Sequence, residues 1–388
     1  MKHTGLPFIF LLFSNFVFSQ NLQIIKNPFI LPHGHTMFAL GSLGASNITN
    51  DAANVGLVNP AALNEHKSIK IALSYQFETN IDDAWLTGIG HKRLSKSIPQ
   101  SGAVIFPIEN FRAGFSFKQT YNSKADLGKI EVTTSENPDG IGKFYEPVFE
   151  TTLFSYSLGT SYKFDRVFTE DASLAIGIRI TLNELKYDEG LENYALTFND
   201  RNYNWSAGVI YSHYLPDNKF IKGGLYYESN LNIESSVKYN YQSNLETSHD
   251  FPIQPIIDPI KIKGTLPTKL KLDLESNFVK HFTFHAGVNF IKWDDVNENL
   301  KNQIELTANG NYNLSNLVKI NLGLFFTDLN YETDIINLNE SLEALYVTAG
   351  VNLEYSFVNF GVTIADSHLL SDDWRKQTLL NCNISVSL

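Results

Sequence analysis

From about residue 68 to the end of the chain, apolar and polar residues alternate with period two. That is the mark of β-strands with one apolar face. Ile69, Ile71, Leu73, Tyr75 and Phe77 fall on one face, with Lys70, Ala72, Ser74 and Gln76 on the other. Leu174, Ile176, Ile178, Ile180 and Leu182 repeat the pattern against Ala175, Gly177, Arg179, Thr181 and Asn183. Similar runs occupy residues 111–121, 152–164, 203–215, 221–233, 270–278, 282–293, 304–314, 318–326, 345–357, 360–364 and 378–388. Most exceed the roughly 5–6 residues of soluble strands and reach the roughly 9–11 with which a tilted strand crosses a bilayer.

A soluble sandwich would alternate as well, so the links decide between the two. Short links at 107–110, 165–172, 216–219, 279–281, 315–317 and 357–358 take turns with long ones at 79–100, 122–149, 188–202, 238–265, 294–301, 330–344 and 366–376. In an up-and-down meander this gathers every long loop on one side, the asymmetry of an outer-membrane barrel with periplasmic turns and external loops. A sandwich gives no reason for it. Residues 84–91 would pass for a strand, but counting them would move every later long link to the turn side. They are read as part of the first outer link, which leaves about fourteen strands, an even number as bacterial barrels require. Aromatics at strand ends (Tyr75, Phe77, Tyr162, Phe164, Tyr187, Tyr211, Phe278, Trp293, Tyr355, Phe357) sit where interface girdles belong.

The N-terminus has a different texture. Met1, Lys2 and His3 precede an apolar run from Leu6 to Phe18, closed by Val17-Phe18-Ser19. This predicts a secretory signal over residues 1–19, since the run is shorter than the roughly 20 residues a spanning helix needs. No later stretch reaches about 18 uninterrupted apolar residues. Residues 20–67 show little alternation and carry Gly34, Gly41, Gly44 and Gly56. Too short to fold alone, this segment needs a surface, and the lumen of a fourteen-strand barrel is wide enough to supply one. The expected organisation is a signal peptide at 1–19, a plug at 20–67 and a barrel at 68–388. The fold class is all-β: a transmembrane antiparallel β-barrel with an N-terminal plug inside it.

Composition narrows the function. Of 388 residues only 18% are charged, against roughly 25% in soluble domains. The net charge of −11 argues against nucleic acid, which favours a basic face. The single Cys382 lies between Leu380 and Ile384 on an apolar strand face and reads as a small hydrophobe. No paired Cys/His spacing marks a metal site, and His33-Gly34-His35 lacks a third ligand nearby, so no cofactor or metal is expected. There is no Gly-x-Ser-x-Gly elbow, phosphate loop or His-Glu-x-x-His. Ser235-Ser236-Val237-Lys238 has Ser-x-x-Lys spacing, but on an extended segment Ser235 and Lys238 fall on opposite faces. The chain is not expected to be an enzyme.

Three stretches carry a family resemblance. Ala39-Leu40-Gly41-Ser42-Leu43-Gly44-Ala45-Ser46, Asp51-Ala52-Ala53 and Asn59-Pro60-Ala61-Ala62-Leu63 precede the first strand; Leu266-Pro267-Thr268-Lys269-Leu270 opens a later one, and the strand after that ends at Trp293-Asp294-Asp295. Together they resemble the FadL-type long-chain fatty acid transporters, whose fourteen-strand barrel holds an N-terminal hatch with an Asn-Pro-Ala motif. Leu388 departs from the pattern, because such barrels usually end on an aromatic. The resemblance implies passive uptake of fatty acids or other hydrophobic compounds from an outer groove to an internal pocket. From there the compound leaves through a gap in the wall, gated by the plug. It also implies a bacterial outer-membrane location, with lipid and a hydrophobic small molecule as partners; a monomer is expected. The alternative is a plugged barrel docking protein partners, similar to PorV-like components of type IX secretion.

Transfer of a dozen methylenes from water is worth roughly 10 kcal/mol, so a hydrophobic solute enters an apolar groove readily. Phe251, Ile253, Ile256 and Ile257, among prolines, make link 238–265 unusually apolar. They either form such a groove or pack on neighbouring loops. Phe29, Leu31, Met37, Phe38 and Leu40 stand out in the plug against strand faces that are small or polar, such as Ser155, Ser157, Gly159 and Ser161, or Lys269, Lys271, Asp273 and Glu275. They either line an internal pocket or form the plug's own small core. Pro60 biases Asn59 towards extended backbone, so Asn59, Pro60 and Ala61 set a defined turn in the gating element, where Asn59 can bond its own backbone.

Overall fold

The computed structural model describes residues 59–82, 92–126, 130–131, 142, 144–145, 148–191, 194–237, 240–241, 260–296, 302–327, 344–367 and 375–388. The signal peptide, most of the expected plug and residues 84–91 lie outside these.

Fourteen strands form the wall: β1 Lys70–Asp82, β2 Lys92–Ile108, β3 Phe111–Asp126, β4 Val148–Asp165, β5 Ala172–Leu191, β6 Tyr194–Leu215, β7 Lys219–Glu228, β8 Lys269–Ser276, β9 Phe282–Ile291, β10 Gln303–Asn313, β11 Val318–Thr327, β12 Ala344–Tyr355, β13 Val358–Asp366 and β14 Arg375–Ser387. Each pairs antiparallel with the next, and β14 closes on β1 from Lys70↔Ser387 to Asp82↔Arg375. Closure leaves no sheet edge, the condition for a β-structure to stand in hydrocarbon.

Burial runs opposite to that of a soluble protein. Ile178 is 57% exposed while its neighbour Arg179 is 3% exposed. Along β1, Ile71, Leu73, Tyr75 and Phe77 are exposed, whereas Ala72, Ser74 and Gln76 are buried. Period two with the apolar set outward and the polar set inward is stable only if lipid surrounds the wall, which excludes a soluble sandwich. Among the described residues no helix is long and apolar enough to cross a membrane; the crossing is made by strands.

Links obey the expected parity. Turns between strands at 109–110, 166–171, 216–218, 277–281, 314–317 and 356–357 gather at one end, hereafter the inner end, and the links after β1, β3, β7, β9, β11 and β13 at the other, the outer end. One expected long link is absent. β5 and β6 stay paired from Ala172↔His213 to Leu191↔Tyr194, so residues 188–202 belong to a projecting hairpin. Outside lipid neither face needs to be apolar, so alternation fades while the backbone ladder, indifferent to side-chain polarity, continues. β2 likewise begins at Lys92, within residues read as link. Two expected girdle aromatics face inward: Tyr187 shares the inner face with Arg179 and Asn183, and Trp293 is buried in the short turn Trp293–Asp295 with Nε1 donating to Gln303 Oε1 at 2.9 Å. Strand-end position alone had placed them at the girdle; parity decides the face.

The wall has a joint. β7 stops at Glu228 and resumes as Leu231–Val237, paired with Ile260–Leu266, which is parted from β8 by Pro267 and Thr268. Hydrogen bonds bridge the break: the Ser229 backbone N–H donates to the Trp205 carbonyl at 2.9 Å, and the Asn204 side-chain amide donates to the Ser229 carbonyl at 3.3 Å. Pro267, without an N–H, ends the ladder there.

If the apolar face meets lipid, Leu272→Arg will destabilise the barrel by about 2–4 kcal/mol in urea unfolding from liposomes, whereas the volume-conserving Leu272→Met will cost little.

Candidate functional site

The residues before β1 fold as a 3-10 turn, Pro60–Glu65, capped by Asn59. Asn59 has the extended backbone a residue before proline requires, with φ −50° and ψ 122°. Its Oδ1 accepts from Ala61 N at 2.9 Å, the local bond expected of this motif, and its carbonyl accepts from Ala62 N at 2.9 Å. Its amide nitrogen reaches the wall as well, donating to Val209 O at 3.2 Å on β6 and to Leu225 O at 2.9 Å on β7. One buried side chain thus caps the turn and ties it to two strands.

The turn lies against the inner face of the barrel because two glycines let it. Gly177 and Gly208 are register partners on β5 and β6. A Cβ at Gly177 would collide with the Pro60–Ala61 backbone, and one at Gly208 with the Asn59 amide. Ala61 and Ala62 pack on Ala175 and Ile210, and Leu63 on Ala72, Ala103 and Ile105. Polar anchors follow: Asn64 Nδ2 donates to Ser161 Oγ, Arg112 Nε to His66 O at 2.7 Å, and Lys222 Nζ to Glu65 Oε2 at 2.8 Å. Lys222 also faces Glu275 at 3.7 Å. The buried Lys222 ammonium thus ties Glu65 of the turn to the wall.

His66 closes the turn and is buried, with Nδ1 lacking a hydrogen-bond partner among the described residues. Burial, then the charges of Lys70 and Arg112, lower its pKa from 6.5 to about 3, so it is neutral in place.

Above the turn, the inner face changes character. Ser155, Ser157, Ser161, Lys269, Asp273 and Glu275 are buried and face inward, as their parity implies. A network of charges crosses them. Glu228 accepts from Lys269 Nζ at 3.0 Å and from the Tyr226 hydroxyl, Arg179 donates to Tyr226 Oη at 2.8 Å, and His285 Nε2 lies 3.0 Å from Asp273 Oδ1. Towards the outer end the same faces turn apolar. Leu153 lies beyond Ser155, Leu185 beyond Asn183, Ile291 beyond Asn289, Phe325 beyond Gly323, Tyr346 beyond Thr348, and Leu379 beyond Asn381, all buried. Phe325, Tyr346, Ala365 and Leu379 form one cluster, with the two rings 6.0 Å apart.

Sequence reasoning placed Asn59, Pro60 and Ala61 together, and the structure seats them on the wall. Phe29, Leu31, Met37, Phe38, Leu40, Phe251, Ile253, Ile256 and Ile257 lie outside the described residues. Apolar lining of the wall itself was missed. Parity would have found it, because Leu185 and Tyr187 continue the count of Arg179, Thr181 and Asn183, and Phe325 that of Asn321 and Gly323.

No protein-family model matches the sequence, and no curated protein is significantly similar to it. Solved structures do share the fold. The toluene transporter TodX of Pseudomonas putida superposes with a TM-score of 0.57 at 12% identity, over 87% of this chain and 94% of TodX. A Pseudomonas aeruginosa FadL homologue gives 0.58 at 10% identity, over 91% and 98%. The toluene transporter TbuX of Ralstonia pickettii gives 0.57 at 11% identity, over 91% and 97%.

Two outcomes are expected. Gly208→Ala will displace the turn and raise single-channel conductance in planar bilayers, while Gly223→Ala, which meets open space, will not. Because the His66 pKa is depressed in place, the anchored state loses stability as pH falls from 6.5 towards 3, by up to about tenfold in the equilibrium per pH unit. Protease access to residues 59–66 will rise over that window in the native protein and stay flat in His66→Phe.

Proposed function

We propose, from a barrel with the fold of FadL-type transporters, that this protein is an outer-membrane channel for passive uptake of hydrophobic compounds, long-chain fatty acids among them. Residues 1–19 are cleaved on export, and residues 20–67 form the hatch whose last turn is seated at Asn59–Glu65. The protein acts as a monomer.

The observation that carries this reading is the inner face of β4, β5, β9, β11, β12 and β14. It is polar along most of each strand and apolar near the outer end, where a compound arriving from outside first meets it. A water-filled pore gains nothing from buried Phe325, Tyr346 and Leu379, while a hydrophobic solute gains about 0.8 kcal/mol for each methylene it buries there. The turn seated on Gly177 and Gly208 supports a gating role for Asn59, Pro60 and Ala61, since whatever frees Asn59 from Val209 and Leu225 unseats the hatch. Phe29, Leu31, Met37, Phe38 and Leu40 would continue the apolar surface from the hatch, and Phe251, Ile253, Ile256 and Ile257 would extend it outward.

The test is uptake of labelled oleate by proteoliposomes, with native mass spectrometry of the purified protein. Bound acyl compounds and uptake that falls about tenfold in Phe325→Arg are expected. Absence of both, with a protein co-purifying in stoichiometric amount, would favour the docking scaffold.

A further inference from the structure

The lipid-facing side of the wall is not evenly filled. Large apolar side chains cover most of it, but β7 presents Gly223 and β9 presents Ala286, and both are register partners of Leu274 on β8. A Cβ at Gly223 would meet nothing within 4 Å. The result is a groove of about 770 Å³ running from β6 to β10, with Val209, Tyr211, Leu225 and Leu274 among its walls. Leu225 and Leu274 are 45% and 47% exposed, so the groove opens towards the membrane and not into the lumen.

At one edge of the groove Phe168, in the turn at 166–171, stands 89% exposed with its ring 6.4 Å from that of Tyr211. Its φ of 66° is one a bulky residue rarely takes, so the turn holds this ring out beside the groove against backbone strain. Gly223 lies four residues after Lys219, the first of β7, and Leu225 six. That is roughly 13–20 Å along a strand tilted by about 40°, which puts the groove in the half of the hydrocarbon nearer the inner turns. The turns below it carry Arg166, Lys219 and Lys280 against Glu170, Asp171 and Asp217, three charges of each sign. Inside the wall, the same spot holds the hatch. Val209 and Leu225 are register partners whose side chains line the groove, while their carbonyls accept from Asn59 Nδ2 on the lumen side.

We infer that the groove is a lipid site: one acyl chain of an inner-leaflet phospholipid with a zwitterionic head lies over Gly223, and by packing on Val209 and Leu225 it braces the strand pair that holds the hatch turn. A tail is no better hidden from water in the groove than in the bilayer, so it gains only contact there, and the choice of lipid falls to the head. Equal numbers of cations and carboxylates suit a head with one phosphate and one ammonium, and offer a purely anionic head no net attraction. The inference needs the membrane barrel and its seated turn, and is independent of what the channel carries.

The experiment places the full chain in nanodiscs of phosphatidylethanolamine and phosphatidylglycerol in equal amounts, and counts by native mass spectrometry the lipids that stay bound after release. Wild type is expected to keep one phosphatidylethanolamine, in about tenfold excess over phosphatidylglycerol, and Gly223→Leu, which fills the groove with protein, to keep none. Val351→Leu, on the lipid face of β12 away from the groove, will match wild type. Protease access to residues 59–66 is expected to rise about tenfold when wild type is moved from nanodiscs into cholate, a detergent without an acyl chain, and to change little in Gly223→Leu, whose side chain stands in for the tail. If Gly223→Leu gives no heat-modifiable barrel, Ala286→Leu closes the same groove from β9. No retained lipid in wild type, or equal retention in the filled variant, overturns the site. No preference for phosphatidylethanolamine overturns the head assignment, and protease access unchanged in cholate overturns the bracing. A wild-type dimer that is lost in Gly223→Leu overturns the lipid in favour of a second copy of the chain.

Discussion

Peptide groups in hydrocarbon have no water to turn to, so a strand can enter a membrane only if both of its edges are paired. The pairing of β14 with β1 meets that demand, and the rest of the molecule follows from it. Once the sheet is closed, alternation has an inside and an outside. Ile176, Ile178 and Ile180 meet lipid, while Gly177, Arg179 and Thr181 are committed to a space about which the lipid says nothing. That freedom is where function was placed.

The lumen uses it in three ways along the strands. Near the inner end, glycine removes side chains so that backbone can approach backbone, and Asn59 spends both ends of its amide, one on its own turn and one on the wall. In the middle, cations and carboxylates pair between neighbouring strands, as Lys269 does with Glu228 and His285 with Asp273. Towards the outer end the same parity positions carry Leu, Phe and Tyr. From the outer end inward, the inner face is apolar first and charged second. The seated turn lies beyond both, held by the Lys222–Glu65 ion pair and by the Arg112 hydrogen bond to the His66 carbonyl.

Much of this was legible from residue types. The strand count, the two ends of the barrel and the turn at Asn59–Pro60 come from period two, from link lengths and from what proline does to its predecessor. Where reading failed, one local signal had been used where two were needed. Tyr187 and Trp293 were assigned by nearness to a strand end, although parity sends Tyr187 inward. Residues 188–202 were assigned by loss of alternation, although a ladder needs no alternation outside lipid. Gly223 carried no signal, since one glycine on an outward position says nothing about its neighbours.

What the sequence determined by itself was the face on which each side chain stands, because strand geometry turns spacing of two into a side of the wall without reference to anything distant. What only the tertiary structure decided was which residues on the inner side meet. Asn59 lies 150 positions before Val209 and 166 before Leu225. Contacts of that kind depend on stagger and closure around the whole barrel, and no segment read alone contains them.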